Sequence, residues 1–444
     1  MSGGSALLVD FGTSRAKAAA LDLDSGALGA SAELASPSPT WGSGGEVEVD
    51  PYLLAQTWSR LLNEMVAAPG GPPVALWLCA EMHGFVLDDG HGKALTPYIS
   101  WRDQRASHPP HALERFEREF GPAFQQITGM KLRPGIPAVV LAHLGAIKKL
   151  PRNARFLSLP EWLIVATGRH TGLAHASIAA ASGLYDLGSH GWSARILEAS
   201  GTTRAGIRVH EIAETPGQPI GTIELQGRHV EVFGGIGDLQ AAMLGAGVPE
   251  RTDVAFNMGT GSQVARALKE HPGLKGERRP FFAGNILATM THIPAGRALN
   301  VFSELVYGFA VGSGGRAGTF WELLCSASPE AILAAPLKVD LNVFASAWRL
   351  KKGGTISVLL EGTATPDKLV TSIARAWLCQ YAEALQELDP RGESARISVA
   401  GGLARRIPAT VPVLCALLGR PVRPPALEEE TLLGLALLAR RLIQ

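Results

Sequence analysis

Cysteine is scarce in this chain. Its four thiols, Cys79, Cys325, Cys379 and Cys415, stand far apart in 444 residues and form no C-x-x-C pair. Paired or closely spaced cysteines are what a disulfide framework or a zinc site requires. We therefore interpret these residues as reduced core cysteines and exclude a disulfide-stapled scaffold.

An excess of one charge is also absent. Lys plus Arg number 41 and Asp plus Glu number 40, so the net charge offers no field that would attract nucleic acid or an anionic membrane. No run reaches the roughly 18 apolar residues that a membrane span needs, and the first ten residues show no signal-peptide pattern. We expect a cytoplasmic protein whose partner is a small molecule.

The amino-acid composition of the chain is that of an ordinary globular protein. Hydrophobic residues make up 46% and charged residues 18% of the 444 positions. These values separate the chain from disordered and fibrous classes. The length is sufficient for two or three domains, each with its own core.

Two similar strand-turn-strand patterns indicate two α/β domains. The first has apolar runs at 6–10 and 16–24 around a Gly/Thr/Ser turn, and the second has runs at 230–236, 253–258 and 262–267. A polar, proline-bearing stretch at 214–228 separates them, which predicts domains 1–228 and 229–444 with a cleft between them. Helical periodicity is clearest in the following stretches: 110–120, 138–149, 369–388 and 428–443. The small residues of 239–247 predict a further helix.

An acidic turn follows the first strand. Asp10 ends this buried run and is followed by Phe11, Gly12, Thr13 and Ser14. A carboxylate in that position can hold hydrated Mg²⁺, while the glycine lets the backbone approach phosphate and the hydroxyl residues offer donors. The alternative is an ordinary Asp/Gly turn.

A second carboxylate stands at a glycine-rich turn in the middle of the chain. Asp238 follows Gly234-Gly235-Ile236-Gly237, and about twenty residues later Gly259, Thr260 and Gly261 interrupt another strand. Glycines bring backbone close to Asp238, and the later turn suits a phosphate. A helix N-cap is the alternative role for Asp238, and the two roles are compatible.

A third glycine pair lies near the C-terminus. Strand 396–399 is followed by Ala400, then Gly401 and Gly402, and then a helical segment. Bare backbone at such a turn allows a flat ring to lie on it. A tight strand-helix turn without a ligand is the alternative.

These elements, in this order, resemble the two phosphate motifs and the adenosine motif of the actin, hexokinase and Hsp70-type superfamily. More narrowly, the chain resembles the FGGY carbohydrate kinases, because it also carries a pair of sugar-site motifs. The first is Glu81-Met82-His83-Gly84, and the second is Trp101-Arg102-Asp103-Gln104-Arg105. The tail G-R-P-V at 419–422 is similar to that family as well.

The resemblance implies α/β architecture with two actin-like ATPase (ribonuclease H-like) domains, and ATP and Mg²⁺ as cofactors. It implies that Asp238 is the general base and that Asp10 holds Mg²⁺ through water. The remaining implied contacts are with phosphate, adenosine and sugar. They are assigned to Gly12, Thr13, Ser14, Gly259, Thr260 and Gly261 for phosphate, Gly401 and Gly402 for adenosine, and Met82, His83, Trp101 and Asp103 for sugar.

Gly237-Asp238-Leu239-Gln240-Ala241 resembles sedoheptulokinases, whereas xylulokinases usually have Asn after the base. We therefore expect a ketose substrate, sedoheptulose ahead of xylulose. Glu81 departs from the family, which commonly has Gln there. Three alternatives stay open: a catalytically silent regulator on the same fold, an actin- or Hsp70-like ATPase, and a kinase for a different sugar or polyol. The sequence also leaves a homodimer open.

Overall fold

The computed structural model describes these parts of the chain: residues 4–66, 73–213, 215–249, 252–259, 262–269, 275–312, 319–344, 347–349, 353–363, 365–425 and 429–443. The chain divides into two compact units. The first contains Met1–Gly245, Arg278–Gly284 and Thr431–Gln444, and the second contains Ala246–Glu277 and Asn285–Glu430. Among the described residues, no helix has the length and apolar character that crossing a membrane requires.

Strands come first in each unit, and helices cover them. The strands of the first unit are β1 (Ser5–Phe11), β2 (Arg15–Asp22), β3 (Leu28–Ala35), β4 (Thr40–Trp41), β5 (Val47–Val49), β6 (Ala75–Ala80), β7 (Phe85–Asp88), β8 (Tyr98–Ile99), β9 (Arg155–Ser158), β10 (Gly168–His170), β11 (Leu173–His175), β12 (Tyr185–Asp186), β13 (Gly191–Trp192), β14 (Glu211–Ala213), β15 (Gly221–Leu225) and β16 (Arg228–Gly237). Its helices are α1 (Pro51–Val66), α2 (Ala112–Phe120), α3 (Pro122–Thr128), α4 (Pro137–Ala146), α5 (Leu159–Thr167), α6 (Ala176–Ala181), α7 (Ala194–Ala199), α8 (Thr202–Ala205) and α9 (Asp238–Gly245).

The later elements of the chain belong mainly to the second unit. They are β17 (Val254–Asn257), β18 (Ser262–Leu268), β19 (Glu277–Pro280), β20 (Ile286–Ile293), β21 (Lys338–Asp340), β22 (Thr355–Ser357), β23 (Ile397–Ala400) and β24 (Val422–Arg423), with helices α10 (Gly296–Gly312), α11 (Thr319–Ser326), α12 (Pro329–Leu333), α13 (Pro366–Leu388), α14 (Gly402–Arg406) and α15 (Thr410–Leu418). The last helix, α16 (Glu430–Ile443), returns the chain to the first unit.

The first unit is organised around a sheet of order β10-β15-β16-β6-β1-β2-β3. Its three central strands, β16, β6 and β1, run parallel to one another. Residues 6–11 of β1 are all buried, as expected of a strand covered on both faces. Helices α1 and α5 supply Trp58 and Trp162 to the apolar core on one side of this sheet.

The second unit has neighbouring strands in the order β20-β18-β17-β23-β24, with β17 and β23 parallel. Helix α13 packs into its core. Thr365 caps this helix by accepting the Lys368 backbone N–H at 3.4 Å, and Pro366 occupies the first turn. Val370, Trp377 and Tyr381 are among the residues of α13 buried at helical spacing.

The compact units differ from the predicted domains 1–228 and 229–444. Strand β16 pairs with β6 along its length, so its backbone hydrogen bonds place it in the first unit's sheet. Asp238 follows it there, although we predicted Asp238 in the C-terminal domain. The polar stretch at 214–228 contains β15 and the turn into β16, a hairpin in place of a linker.

Candidate active site

Three acidic residues stand at the carboxyl ends of three adjacent parallel strands. Asp10 lies next to the last residue of β1, Glu81 follows β6, and Asp238 follows β16. Gly237 pairs with Ala80 in register, so Glu81 and Asp238 are the next residues of neighbouring strands. Carboxyl ends of parallel strands meet at one edge of a sheet, where α/β proteins bind ligands. The sequence predicted roles for Asp10 and Asp238, whereas Glu81 was named only as the first residue of a sugar-site motif.

A glycine bulge shapes the end of β16. Gly234 and Gly235 have φ of 84° and 57°, in the left-handed region that favours glycine. The register with β6 shifts between Gly234 and Ile236. A Cβ on Gly234 would lie 2.7 Å from the Leu78 carbonyl oxygen. Because a bulge bends a strand and re-aims the residues after it, these glycines determine where Asp238 projects.

Asp238 is half-buried, and its surroundings disfavour its charge. Burial, and then the negative charges of Asp10 and Glu81, raise the pKa of Asp238 to about 7. Its Oδ1 accepts the backbone N–H of the next residue, Leu239, at 2.7 Å. A helix cap would bond the second or third N–H of the helix, so the alternative capping role stays a prediction. A carboxylate with a pKa near the working pH is suited to accept a proton.

Asp10 is buried, with 8% of its surface exposed, and its two oxygens contact residues from different parts of the chain. Its Oδ2 accepts the Thr431 hydroxyl at 2.8 Å, and its Oδ1 lies 3.6 Å from the thiol of Cys79. Burial and the nearby Asp10 carboxylate raise the pKa of the Cys79 thiol, which stays protonated. Thr431 lies on α16, far along the chain, and no sequence signal connected it with this site.

The donor set around Asp10 suits magnesium held mainly by water. Among the described residues, no group of three or more metal-ligating side chains is arranged as a complete site. Mg²⁺ usually keeps several waters and takes one or two carboxylates plus substrate phosphates. The mutual repulsion of Asp10 and Asp238 would be relieved by a cation. Asp10 therefore fits the predicted role of a carboxylate behind a hydrated ion.

Glu81 organises the residues around it. Its two oxygens accept the hydroxyls of Thr13 and Tyr98, the latter at 2.6 Å. The indole N–H of Trp101 donates to Thr13 Oγ1 at 3.1 Å. Burial raises the pKa of Glu81, while the two hydroxyl donors oppose that shift. The Thr13 hydroxyl donates to Glu81 here, and phosphate contact by Thr13 stays a prediction.

The backbone groups of Gly12, in the turn after β1, are hydrogen-bonded within the protein. The Gly12 N–H donates to the Arg15 carbonyl at 3.0 Å, and the Gly12 carbonyl accepts the Ser36 hydroxyl at 2.7 Å. Ser14 is exposed. The tight-turn interpretation is therefore met, and phosphate contacts by Gly12 and Ser14 stay a prediction.

Met82 contacts the end of β16, and His83 contacts the end of α6. The Sδ of Met82 is 2.7 Å from where a Cβ on Gly237 would sit, so these two residues are in close contact. His83 has a φ of 68°, and its Nδ1 donates to the Ala181 carbonyl at 2.7 Å. Because a carbonyl only accepts, Nδ1 carries a proton.

Asp103 is a structural residue here, contrary to the predicted contact with sugar hydroxyls. It is fully buried, and its Oδ1 accepts both the backbone N–H and the Nε of Arg105 at 2.9 Å. Its Oδ2 accepts the Val47 backbone N–H at 2.8 Å. Both oxygens are occupied by protein donors, so Asp103 fixes the loop that carries Trp101.

The second unit brings Gly259 and Gly401 to the ends of the adjacent parallel strands β17 and β23. Gly401 has a φ of 96°, and a Cβ there would lie 2.5 Å from the Met258 carbonyl. Beside Gly402, in contrast, an added Cβ would meet no atom within 4 Å. Thr260 and Gly261 lie outside the described residues.

The fold and site define a class of enzyme, an ATP-dependent phosphotransferase built on the mixed α/β, two-domain actin-like ATPase fold. The model for the N-terminal domain of the FGGY family of carbohydrate kinases matches residues 5–245, more than half of the chain. The chain belongs to the FGGY family of carbohydrate kinases.

Curated relatives agree with this family and differ in substrate. A glycerol kinase from Alkalilimnicola ehrlichii is 28% identical over 98% of this chain and 90% of its own length. A xylulose kinase from Streptomyces rubiginosus is 27% identical over 60% of this chain and 54% of its own. The predicted family is confirmed, and the chain is a carbohydrate kinase. Neither of these relatives is named for sedoheptulose, so the predicted preference for that sugar stays a prediction.

Solved structures support the fold. A gluconate kinase from Lactobacillus acidophilus superimposes with a TM-score of 0.82 at 18% identity, covering 99% of this chain and 90% of its own. A ligand-bound xylulose kinase from the same organism also gives 0.82, at 17% identity with 99% and 89% coverage. The predicted fold class is confirmed.

Proposed function

We propose that this kinase transfers the γ-phosphate of ATP to a hydroxyl of a ketose, with Asp238 as general base. The observation that carries the proposal is the position of Asp238 at the end of a bulged parallel strand, with its pKa raised to about 7. At neutral pH a large fraction of this carboxylate is ionised and yet basic enough to take a proton from an alcohol in the transition state.

In this mechanism the sugar hydroxyl attacks in line while Asp238 accepts its proton. Asp10 would hold hydrated Mg²⁺, which neutralises charge on the phosphates when bound.

For the nucleotide, the proposal uses the glycines of the second unit. Gly402 borders open space, and its neighbour Gly401 needs its glycine backbone for the turn itself. A flat adenine or ribose can lie against Gly402 because no side chain covers it. Gly259, at the adjacent strand end, is the proposed phosphate contact.

For the sugar, the proposal uses His83, Met82 and the face of Trp101. The residue after the base is Leu239, whose side chain is 7% exposed and offers no hydrogen bond. An amide at this position could bond a pentulose hydroxyl, so its absence favours sedoheptulose over xylulose. A neutral hydrogen bond contributes about 0.5–1.5 kcal/mol, which corresponds to a few-fold to tenfold preference.

A polyol is the second candidate substrate. Three of the relatives that match this chain are glycerol kinases, at 26–28% identity. A small polyol would need the same base and magnesium carboxylate but fewer hydroxyl contacts.

The experiment is ADP release with sedoheptulose, xylulose, glycerol and gluconate, each beside a reaction without acceptor, followed by mapping of the phosphorylated carbon. We expect acceptor-dependent turnover with kcat/KM highest for a ketose. If kcat/KM is tenfold or more higher for glycerol or gluconate than for the ketoses, the proposed substrate class is wrong. If ADP is released equally fast without an acceptor, the proposed transfer to a sugar hydroxyl is wrong.

A further inference from the structure

Two buried side chains connect the start of α6 to the residue before the proposed base. The Ser177 hydroxyl accepts the Gly237 backbone N–H at 3.0 Å. The same hydroxyl lies 2.8 Å from Nδ1 of His175, and Nδ1 also accepts the Ser177 backbone N–H at 3.2 Å. Because Gly237 directly precedes Asp238, this hydroxyl contacts the backbone from which the base projects.

The proton directions in this hydrogen-bonded chain depend on the partners. Since Nδ1 of His175 accepts a backbone N–H, it carries no proton, and the Ser177 hydroxyl proton points toward it. The hydroxyl lone pair then faces the Gly237 N–H. His175 is 4% exposed and Ser177 is fully buried. Burial lowers the pKa of His175 to about 4, so its ring stays neutral and this arrangement persists at neutral pH.

Gly237 is confined on its other side. A Cβ there would lie 2.5 Å from Gln240 Oε1 and 2.7 Å from Met82 Sδ. The backbone at this residue is therefore held by a hydrogen bond on one side and by packed atoms on the other. Small errors in the placement of a catalytic group cost large factors in rate.

We propose that Ser177 and His175 are positioning residues that hold the Gly237–Asp238 peptide so that the carboxylate meets the sugar hydroxyl. The inference rests on the proposed function, because it presupposes Asp238 as the base. It adds two residues that touch neither sugar nor nucleotide in the mechanism above.

The first experiment compares Ser177→Ala with Ser200→Ala. Ser200 is also fully buried, and its hydroxyl bonds the Leu197 carbonyl at 3.0 Å and the Thr202 hydroxyl at 2.7 Å. We expect Ser177→Ala to lower kcat roughly tenfold or more while KM for sugar and ATP changes less than about threefold. Ser200→Ala should keep wild-type kcat. A kcat loss in Ser177→Ala no larger than in Ser200→Ala would overturn the inference.

The second experiment compares His175→Asn with His175→Leu. Among the described residues, Nε2 of His175 has no hydrogen-bond partner, so Nδ1 is the ring atom that the proposal needs. Asn can place an oxygen close to Nδ1 and also caps helices well. We expect Asn to retain kcat within about threefold and Leu to match Ser177→Ala. Equal losses in both variants would contradict the proposed geometry.

The Asp238→Asn variant distinguishes failure of the proposed base from failure of the proposed positioning role. If this folded variant turns over normally, the proposed function fails. If it is inactive while Ser177→Ala is normal, only the positioning role fails.

Discussion

The parallel strands of the two units end in residues of opposite character, acidic side chains in the first unit and glycines in the second. In the first unit, parallel strands end in Asp10, Glu81 and Asp238. The negative charges of Asp10 and Glu81 raise the pKa of Asp238, and the carboxylates of Asp10 and Glu81 accept hydroxyls from distant segments. In the second unit, the parallel strands β17 and β23 end in Gly259 and Gly401, and the backbone is open at the next residue, Gly402. Similar strand ends thus carry carboxylates in one unit and glycines in the other, and we propose that the carboxylates supply basicity and the glycines bind nucleotide. Changing a side chain should damage the first, and adding one should damage the second.

The largest effect is expected from Asp238→Asn. The amide keeps the shape of the side chain and removes its basicity, so kcat should fall by roughly 10²-fold or more. Sugar and ATP affinities, measured by calorimetry, should stay close to wild type, because the base is needed for transfer more than for binding.

Asp186→Asn is the matched control for this substitution. Asp186 ends β12 and accepts the Gly188 backbone N–H at 2.8 Å, in the same unit. Wild-type turnover is expected there. Near-normal kcat in folded Asp238→Asn would show that another group takes the proton.

A side chain at Gly402 tests the bare-backbone half of the comparison. The protein leaves room for it, so Gly402→Val should fold, and its branches should occupy space proposed for the nucleotide. We expect ATP affinity to fall by about tenfold, since displaced contacts of about 1.4 kcal/mol correspond to that factor. Sugar affinity should not change.

Gly308→Val provides the control, because a Cβ at Gly308 in α10 also meets no atom within 4 Å. Both variants are measured by calorimetry with ATP and with sugar. Unchanged ATP affinity in Gly402→Val would exclude the nucleotide from this glycine turn.

A smaller effect is expected from Leu239→Asn. The new amide could bond a pentulose hydroxyl, which would improve xylulose relative to sedoheptulose by a few-fold to tenfold in kcat/KM. His83→Ala should instead weaken all ketoses alike. Competition assays with both sugars measure the two ratios. If Leu239→Asn and wild type have the same ratio of kcat/KM for xylulose to kcat/KM for sedoheptulose, residue 239 does not determine which sugar is preferred.

The smallest effect is expected from Glu81→Gln. The Glu81 charge raises the pKa of Asp238, so its removal should lower that pKa and shift the rising limb of kcat/KM toward lower pH. The variant should therefore keep more of its maximum at pH 6 than wild type does. A shift toward higher pH would contradict the electrostatic coupling of these two carboxylates.

Several strands and helices were predicted from local patterns. The apolar run at 6–10 became β1, and the periodic stretch at 369–388 became most of α13, because their burial is visible within a few residues. The unit boundary could not be predicted so well. It depends on β16 pairing with β6 about 155 residues earlier, and no local pattern shows which partner a strand will choose.

The candidate site was predictable where motif and strand end coincide. Asp10 and Asp238 stand at such places, and the structure puts both at one sheet edge. Asp103 carried a motif signal but bonds Arg105, a contact two residues away that spacing alone does not reveal. The Thr431 contact with Asp10 joins residues at opposite ends of the chain, so only the folded structure could show it.

The central claim is that the carboxylate of Asp238 takes the proton, and the pH dependence of kcat/KM for the sugar tests it most directly. Wild type should show a rising limb with a midpoint near the pKa of about 7 that burial and two neighbouring carboxylates give Asp238. The residual activity of Asp238→Asn should lack that limb. If Asp238→Asn retains the same limb, a different group is the base and the account is wrong.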